Sequence, residues 1–242
     1  MDRNLPRLHI LLLAAGKGTR LSPITDYIPK PLIDVQGQTM IGRLCDQFSR
    51  VFDDVEFWVN ISFFADKFLD FHLRIPKIIQ PNFIWEPTQL GGASTLQFVS
   101  KKINGPILVL HSDLVLSQQY VLTIREDLIN TNFRKNLIFC HSRARSIARS
   151  NVWFDRNGLV TSFQELEVGH VDEETEVFVN SGIYFFPFPK IFPDTRTMEG
   201  DIVRNQIQIL IQQKSLYTRL INDKRISVDS VSSLIEARRY LS

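Results

Sequence analysis

Leu12-Leu13-Ala14-Ala15-Gly16-Lys17-Gly18-Thr19-Arg20, followed by Pro29-Lys30-Pro31, decides how this chain is read. The apolar stretch that enters it, Ile10 to Leu13, predicts a buried first strand. That strand empties into a loop whose glycines expose consecutive backbone N–H groups, a concavity suited to phosphate. Arg20 then offers a planar fork of donors and Lys30 a compact point charge. Two other phosphate-binding patterns do not fit. No G-x-x-x-x-G-K-[ST] occurs, and a G-x-G-x-x-G would need glycine where Leu21 stands.

Beyond that loop, short apolar runs alternate with amphipathic segments, the pattern of β-α-β units and a mostly parallel sheet. Val55–Val59, Lys77–Ile79 and Ile107–His111 read as further strands. Thr39–Phe48, Ser62–Leu73 and Ala93–Lys102 read as the helices between them, and Phe64, Phe68 and Phe71 form a core stripe on the second. A helix over Gln118–Asn130 leads into a strand at Leu137–Cys140. The second half changes character. Val152–Phe154 and Leu159–Phe163 predict a hairpin closed at Asn157-Gly158. A strand comes next at Phe178–Phe186, ended by prolines 187, 189 and 193. Asp201 can cap a helix running toward Gln213. Strands at Leu216–Ile221 and Arg225–Val228 precede a last helix opened by Ser233-Leu234-Ile235-Glu236, which matches a capping box. No repeat or linker divides the chain. It reads as a single domain over 1–242, with a nucleotide half at about 1–135 and an acceptor half at about 136–242.

The 242 residues are 44% hydrophobic, enough for a sizeable core. With 28 basic and 26 acidic residues, no overall field favours nucleic acid or an anionic membrane. Cys45 and Cys140 fit no metal spacing and read as buried free thiols of a reducing compartment. No apolar stretch approaches the ~20 residues that span a bilayer. The first strand begins too early to leave room for a secretory signal, so a cytoplasmic location is expected.

The loop resembles the signature of the sugar-1-phosphate nucleotidyltransferases, or NDP-sugar pyrophosphorylases: a strand, G-x-G-T-R, then lysine within P-K-P. The resemblance implies a three-layer α/β/α sandwich with a Rossmann-like, mixed and mainly parallel sheet of the nucleotide-diphospho-sugar transferase type. It implies that a sugar-1-phosphate attacks the α-phosphorus of an NTP and that pyrophosphate leaves. Such a nucleophile is already anionic near neutral pH, its second pKa being ~6, so no general base is sought. Positioning and positive charge are what the protein must supply.

On this resemblance Arg20 and Lys30 are the catalytic cations, and Ala14, Ala15, Gly16, Gly18 and Thr19 cradle the phosphates. Glu86-Pro87-Thr88-Gln89-Leu90-Gly91-Gly92 resembles the base-binding segment, which assigns Glu86, Gly91 and Gly92 to the nucleotide. His111-Ser112-Asp113 resembles the family's N-G-D, with Ser112 on the nucleotide and Asp113 on a metal. Asp229 resembles the second metal aspartate, and Mg2+ is the implied cofactor because it needs only one or two carboxylates beside phosphates. Asn180-Ser181-Gly182-Ile183-Tyr184 and Ser162-Phe163-Gln164-Glu165 resemble the sugar-facing segments, which assigns Asn180, Gly182 and Glu165. The implied partners are an NTP and a sugar-1-phosphate, with no nucleic acid and no membrane; a homo-oligomer stays open.

Several positions depart from the family pattern. Leu166 stands where a sugar-phosphate lysine is usual, Asn151 replaces a glycine, His111-Ser112 replaces Asn-Gly, and Ser230-Val231 replaces Ile/Val-Gly. The nucleotide half is intact and the acceptor half altered. That implies an acceptor other than a plain hexose phosphate, with an extra polar or anionic group that Arg143, Arg145 and Arg149 can meet. A catalytically weak nucleotide-binding homologue is the alternative. A glycosyltransferase would want an Asp-x-Asp, and Asp113-Leu114-Val115 is not one.

Overall fold

The computed structural model describes residues 5–144, 150–165, 176–189 and 201–242. Its centre is a seven-stranded sheet in the order β10-β6-β9-β4-β1-β2-β3. β1 (Leu8–Leu13), β2 (Val55–Ile61), β3 (Asn82–Trp85) and β4 (Ile107–His111) run parallel. β9 (Glu176–Phe186) is antiparallel to both β4 and β6 (Asn136–Ala144), while β10 (Leu216–Leu220) runs parallel to β6. Strands from both halves of the chain therefore interleave in one sheet.

β1 is buried on both faces, as its unbroken apolar run requires. Leu8, Ile10 and Leu12 point into one core with α1 (Met40–Val51), α2 (Ala65–Arg74) and α4 (Gln118–Asn130). Leu11 points into a second core with α3 (Gly92–Lys102) and α5 (Gln208–Gln212). This makes the three layers. In α1, Ile41, Leu44, Cys45 and Phe48 are buried at helical spacing, and Thr39 caps the start by accepting from the Gly42 N–H at 3.1 Å. Ser117 caps α4 in the same way through Tyr120 N–H at 3.0 Å. A third, smaller core joins Leu21, Ile33 and Met40 to α6 (Val231–Tyr240) through Leu234 and Ala237. Both cysteines are buried free thiols, and burial pushes Cys140 up to about 12, so neither thiol ionises readily. No helix among the described residues is long and apolar enough to cross a membrane.

Local expectations need correcting in five places. Lys77–Ile79 is a short 3-10 turn, and the strand falls at Asn82–Trp85, beyond Pro81. α2 begins at Ala65 because Phe64 sits in the left-handed region at φ 56°. The hairpin of β7 (Ser150–Phe154) and β8 (Val160–Glu165) closes through a longer loop in which Asp155 accepts from Asn157 and Leu159 N–H at 2.9 Å each. Only its Gly158 takes positive φ, 77°. The last helix is capped by Ser230 with Ser233, three residues before the expected box. The helix expected after Asp201 opens instead as a π-turn at Val203–Ile207, with the Asp201 carbonyl accepting from Asn205 N–H at 3.3 Å, and leads into α5.

Candidate active site

Parallel strands β1, β2, β3 and β4 all end at the same edge of the sheet, where open α/β folds place their ligands. The loop after β1 is fixed there from both sides. Ala14 N–H donates to the buried Asn60 Oδ1 at 2.7 Å, and Thr25 Oγ1 donates to the Gly18 carbonyl at 2.9 Å. Gly18 adopts φ 66°, and a Cβ there would lie 3.0 Å from both Lys30 Cβ and Thr25 Cγ2. Glycine is thus required twice over, by backbone sign and by close approach. Leu21 buries itself beneath the short 3-10 turn Thr19–Leu21 and leaves Arg20 facing outward.

Four charged residues meet at this mouth. Lys30 Nζ, on the turn between two prolines, pairs with Asp113 Oδ2. Arg20 Nη1 donates to Asp229 Oδ2 at 2.9 Å. The two carboxylates come from loops beyond an antiparallel pair, β5 (Leu114–Leu116) and β11 (Arg225–Ser227). Val228 N–H donates to the Asp113 carbonyl at 2.9 Å, and Asp229 N–H donates to Ser233 Oγ at 3.0 Å. Burial by itself would raise the Asp113 carboxyl. The Lys30 ammonium, aided by His111 and Arg225, outweighs burial and holds the group below the usual carboxylate range. Its Oδ1 is buried and accepts no hydrogen bond among the described residues.

Around these groups lies an open cleft of about 430 Å³. Ala14, Ala15, Gly16, Gly18, Thr19, Arg20, Lys30, Gly91, Gly92, Ser112, Asp113 and Asp229 all line it. Gly91 takes φ 88° and Gly92 opens α3; a Cβ on Gly92 would meet Leu13 Cδ1 at 3.1 Å. Ser112 lines the cleft while its hydroxyl donates to the Leu13 carbonyl at 2.6 Å, stitching β4 to the first loop.

Four expected site residues are not brought to the cleft surface. Glu86 is buried at 2% exposure. Its Oε1 accepts from Asn60 Nδ2 at 3.1 Å and from the Thr95 hydroxyl, so it braces the loop after β1 from behind. Asn180 commits its amide to its own strand: Oδ1 accepts from Gly182 N–H at 2.9 Å and Nδ2 donates to the Tyr184 hydroxyl at 2.5 Å. Gly182, at φ 72°, makes room for a ring, because a Cβ there would lie 3.2 Å from His111 Cδ2. Glu165 ends β8 on an exposed position outside the cleft lining. Leu166, Arg145, Arg149 and the side chain of Arg143 lie outside the described residues.

Other lining residues escaped sequence reasoning: Asn60, Gln89, Asp201 and Ile202. Asn60 ends an apolar strand and carries no motif. Gln89 was legible only as a member of the segment before Gly91. Asp201 looked like an ordinary cap.

Among the described residues no three or more His, Cys, Asp or Glu gather as a metal cluster. Two aspartates held on one backbone frame beside two cations are instead a donor set that suits magnesium, which would keep phosphate oxygens and water as its other ligands. The buried, unsatisfied Asp113 Oδ1 fits that set.

A family model described as nucleotidyl transferase matches residues 9–236. The chain is similar to the bifunctional protein GlmU of Methanococcus aeolicus, 22% identical over 237 residues, which covers 96% of this chain and 54% of that protein. It is 26% identical over 220 residues to the mannose-1-phosphate guanyltransferase of Debaryomyces hansenii, covering 86% of this chain and 57% of that one. The chain thus spans little more than half the length of these two curated relatives. Among solved structures, HddC from Yersinia pseudotuberculosis complexed with GMP-PN superposes with a TM-score of 0.76 at 18% identity, covering 97% of this chain and 99% of that one.

Proposed function

The chain belongs to the nucleotidyl transferase family, and from that premise we propose that it condenses an NTP with a sugar-1-phosphate, releasing pyrophosphate and an NDP-sugar. The observation that carries this reading is the convergence of Arg20, Lys30, Asp113 and Asp229 at one mouth, each cation paired with one carboxylate. Such pairing holds four charges ready while each neutralises its partner. With substrates present, Arg20 and Lys30 would turn to phosphate oxygens, leaving Asp113 and Asp229 to hold a divalent ion. Arg20, 58% exposed on its loop, suits the outer phosphates; Lys30, 13% exposed and deeper, suits the region where attack occurs. The backbone from Gly16 to Thr19 cradles the remaining oxygens.

Asp113 and Asp229 would hold magnesium, which when bound neutralises phosphate charge that builds toward the transition state. The acceptor phosphate needs no deprotonation, and no base is assigned. The guanyltransferase relative, by its name, acts on mannose 1-phosphate, and the superposed neighbour carries GMP-PN. Both support an NTP and a phosphorylated sugar as substrates. A cytoplasmic location, where activated nucleotides are available, is consistent with this reading. A catalytically weak binding homologue has less need of both carboxylates, so their retention favours the enzyme. Screening NTPs against sugar-1-phosphates for magnesium-dependent pyrophosphate release tests the reading. Release with at least one pair supports it, and release with none across a broad panel rejects it.

A further inference from the structure

Three polar side chains, Asn60, Glu86 and Thr95, are buried together behind the two glycine segments of the cleft. β2 lies between β1 and β3, so one side chain at its end can reach the loops after both neighbours. Asn60 does so. Its Oδ1 accepts from Ala14 N–H at 2.7 Å, and its Nδ2 donates to Glu86 Oε1 at 3.1 Å and to Thr95 Oγ1 at 3.2 Å. Glu86 is anchored just past β3, where its N–H donates to the Ile61 carbonyl at 2.8 Å. Its second oxygen, Oε2, accepts at 3.4 Å from Leu90 N–H, between the cleft-lining Gln89 and Gly91. Thr95 donates its hydroxyl to Glu86 Oε1 and its N–H to the Gly91 carbonyl at 3.2 Å. A continuous chain of hydrogen bonds thus runs from the loop after β1 to the segment before α3. None of the three side chains leaves a buried polar atom unsatisfied.

Donor and acceptor roles dictate the residue types in this chain of bonds. A backbone N–H can only donate, so Ala14 fixes Asn60 Oδ1 toward the first loop and Nδ2 toward Glu86. Position 86 must then accept at both ends, from Asn60 and Thr95 on one oxygen and from Leu90 on the other. A carboxylate meets that demand. A glutamine would set its own N–H against that of Leu90. Burying a carboxylate is costly, and an apolar side chain would fill the same space without that cost. We propose that Asn60 and Glu86 are positioning residues for the nucleotide. They tie the loop after β1 to the Leu90–Gly91 segment, so that the triphosphate and the nucleobase are held at one fixed spacing. This rests on the nucleotide reading of the cleft.

The test is calorimetric binding, with magnesium, of inorganic triphosphate and of the α,β-methylene analogues of the common NTPs, tried in turn. The proteins are wild type, Glu86→Gln, Asn60→Asp and the Asn60→Asp/Glu86→Gln double variant. Glu86→Gln keeps an acceptor for Asn60 and loses the Leu90 contact. It should weaken the best analogue about tenfold, the size of one charge-assisted hydrogen bond, and change inorganic triphosphate less than about twofold. Asn60→Asp sets two carboxylates face to face and should weaken both ligands. The double variant exchanges donor and acceptor across the pair and again satisfies Ala14 and Leu90. Both affinities should then return to within about threefold of wild type. If Asn60→Asp does not fold, Glu86→Gln and the double variant decide between them. Equal effects of Glu86→Gln on analogue and triphosphate, a double variant that binds neither as predicted, or no analogue bound by wild type overturns the proposal. Pyrophosphate release is measured separately. Its absence beside the predicted binding pattern would reject the transferase reading and leave the positioning assignment standing.

Discussion

The backbone N–H of Val228 donates to the carbonyl of Asp113 at 2.9 Å, so the two aspartates of the cleft share one rigid frame although 116 positions separate Asp113 from Asp229. The β5–β11 pair behind that bond, with Val115, Ile226 and Val228 in the third core, makes the spacing of the carboxylates a property of folded backbone. Each aspartate then meets a different cation, and the pairs differ in burial, which separates their predicted behaviour.

Arg20→Ala should cost at least tenfold in kcat/KM, a loss of about 1.4 kcal/mol or more of transition-state binding, with an unchanged Tm. Its side chain is 58% exposed and its partner is at the surface, where an ion pair contributes roughly 0–1 kcal/mol. Steady-state kinetics beside a thermal melt decides it.

Asp113→Asn and Asp229→Asn should both abolish metal-dependent turnover, yet only the first should destabilise the fold. Lys30 is 13% exposed, and losing its carboxylate leaves a nearly buried charge unpaired, at a cost of about 3 kcal/mol. Asp229→Asn should cost under about 1 kcal/mol, since Arg20 stays solvated. Urea titrations of the two variants would show equal losses if this burial argument were wrong.

Gly18→Ala should lose stability by roughly 1–3 kcal/mol, because the residue combines φ 66° with contacts at 3.0 Å. Lys30 should shift with it, so turnover falls too. Gly16→Ala meets nothing within 4 Å and should change stability by less than about 0.5 kcal/mol. Denaturation midpoints for the pair check the contrast.

Much of the fold and site was legible in the sequence, for physical reasons that differ by element. β1, α1 and α4 carry long apolar periodicities with Thr39 and Ser117 caps, and such signals survive tertiary context. Lys77–Ile79 misled because a three-residue apolar run after Pro76 fits a turn as well as a strand; only Ile79 is buried. In the site, glycine loops and cations could be placed because backbone approach and charge demand particular residues. Glu86 and Asn180 could not, because a motif shows that a polar side chain is present and leaves open which way it turns. Both were recruited by polar neighbours, Thr95 and Tyr184, that no local pattern joins to them. Asp201 was visible as a residue, but its position over the cleft depends on Ile202 packing against Gly92, a contact between segments 110 positions apart.

Away from the site, His9 should make stability depend on pH. It is buried on β1, with Nδ1 2.9 Å from Glu56 Oε2, and burial outweighs that carboxylate so that its pKa lies below 6.5. The unfolded chain then binds a proton that the native state resists, so the contribution of His9 is present above pH 6.5 and is lost as pH falls toward the native value. Tm should drop on moving from pH 7.5 to 5.5, and His9→Gln should flatten that slope. An identical slope in the variant would assign the effect to other groups.

The most direct measurement tracks the α-phosphate. NTP labelled there is incubated with magnesium and a panel of sugar-1-phosphates, with wild type and the Asp113→Asn/Asp229→Asn double variant. The expected result is label in a phosphatase-resistant nucleotide sugar, one pyrophosphate released per label transferred, and neither product with the double variant or in excess chelator. Label recovered only as free mononucleotide, or transfer that persists undiminished in the double variant, would contradict the account.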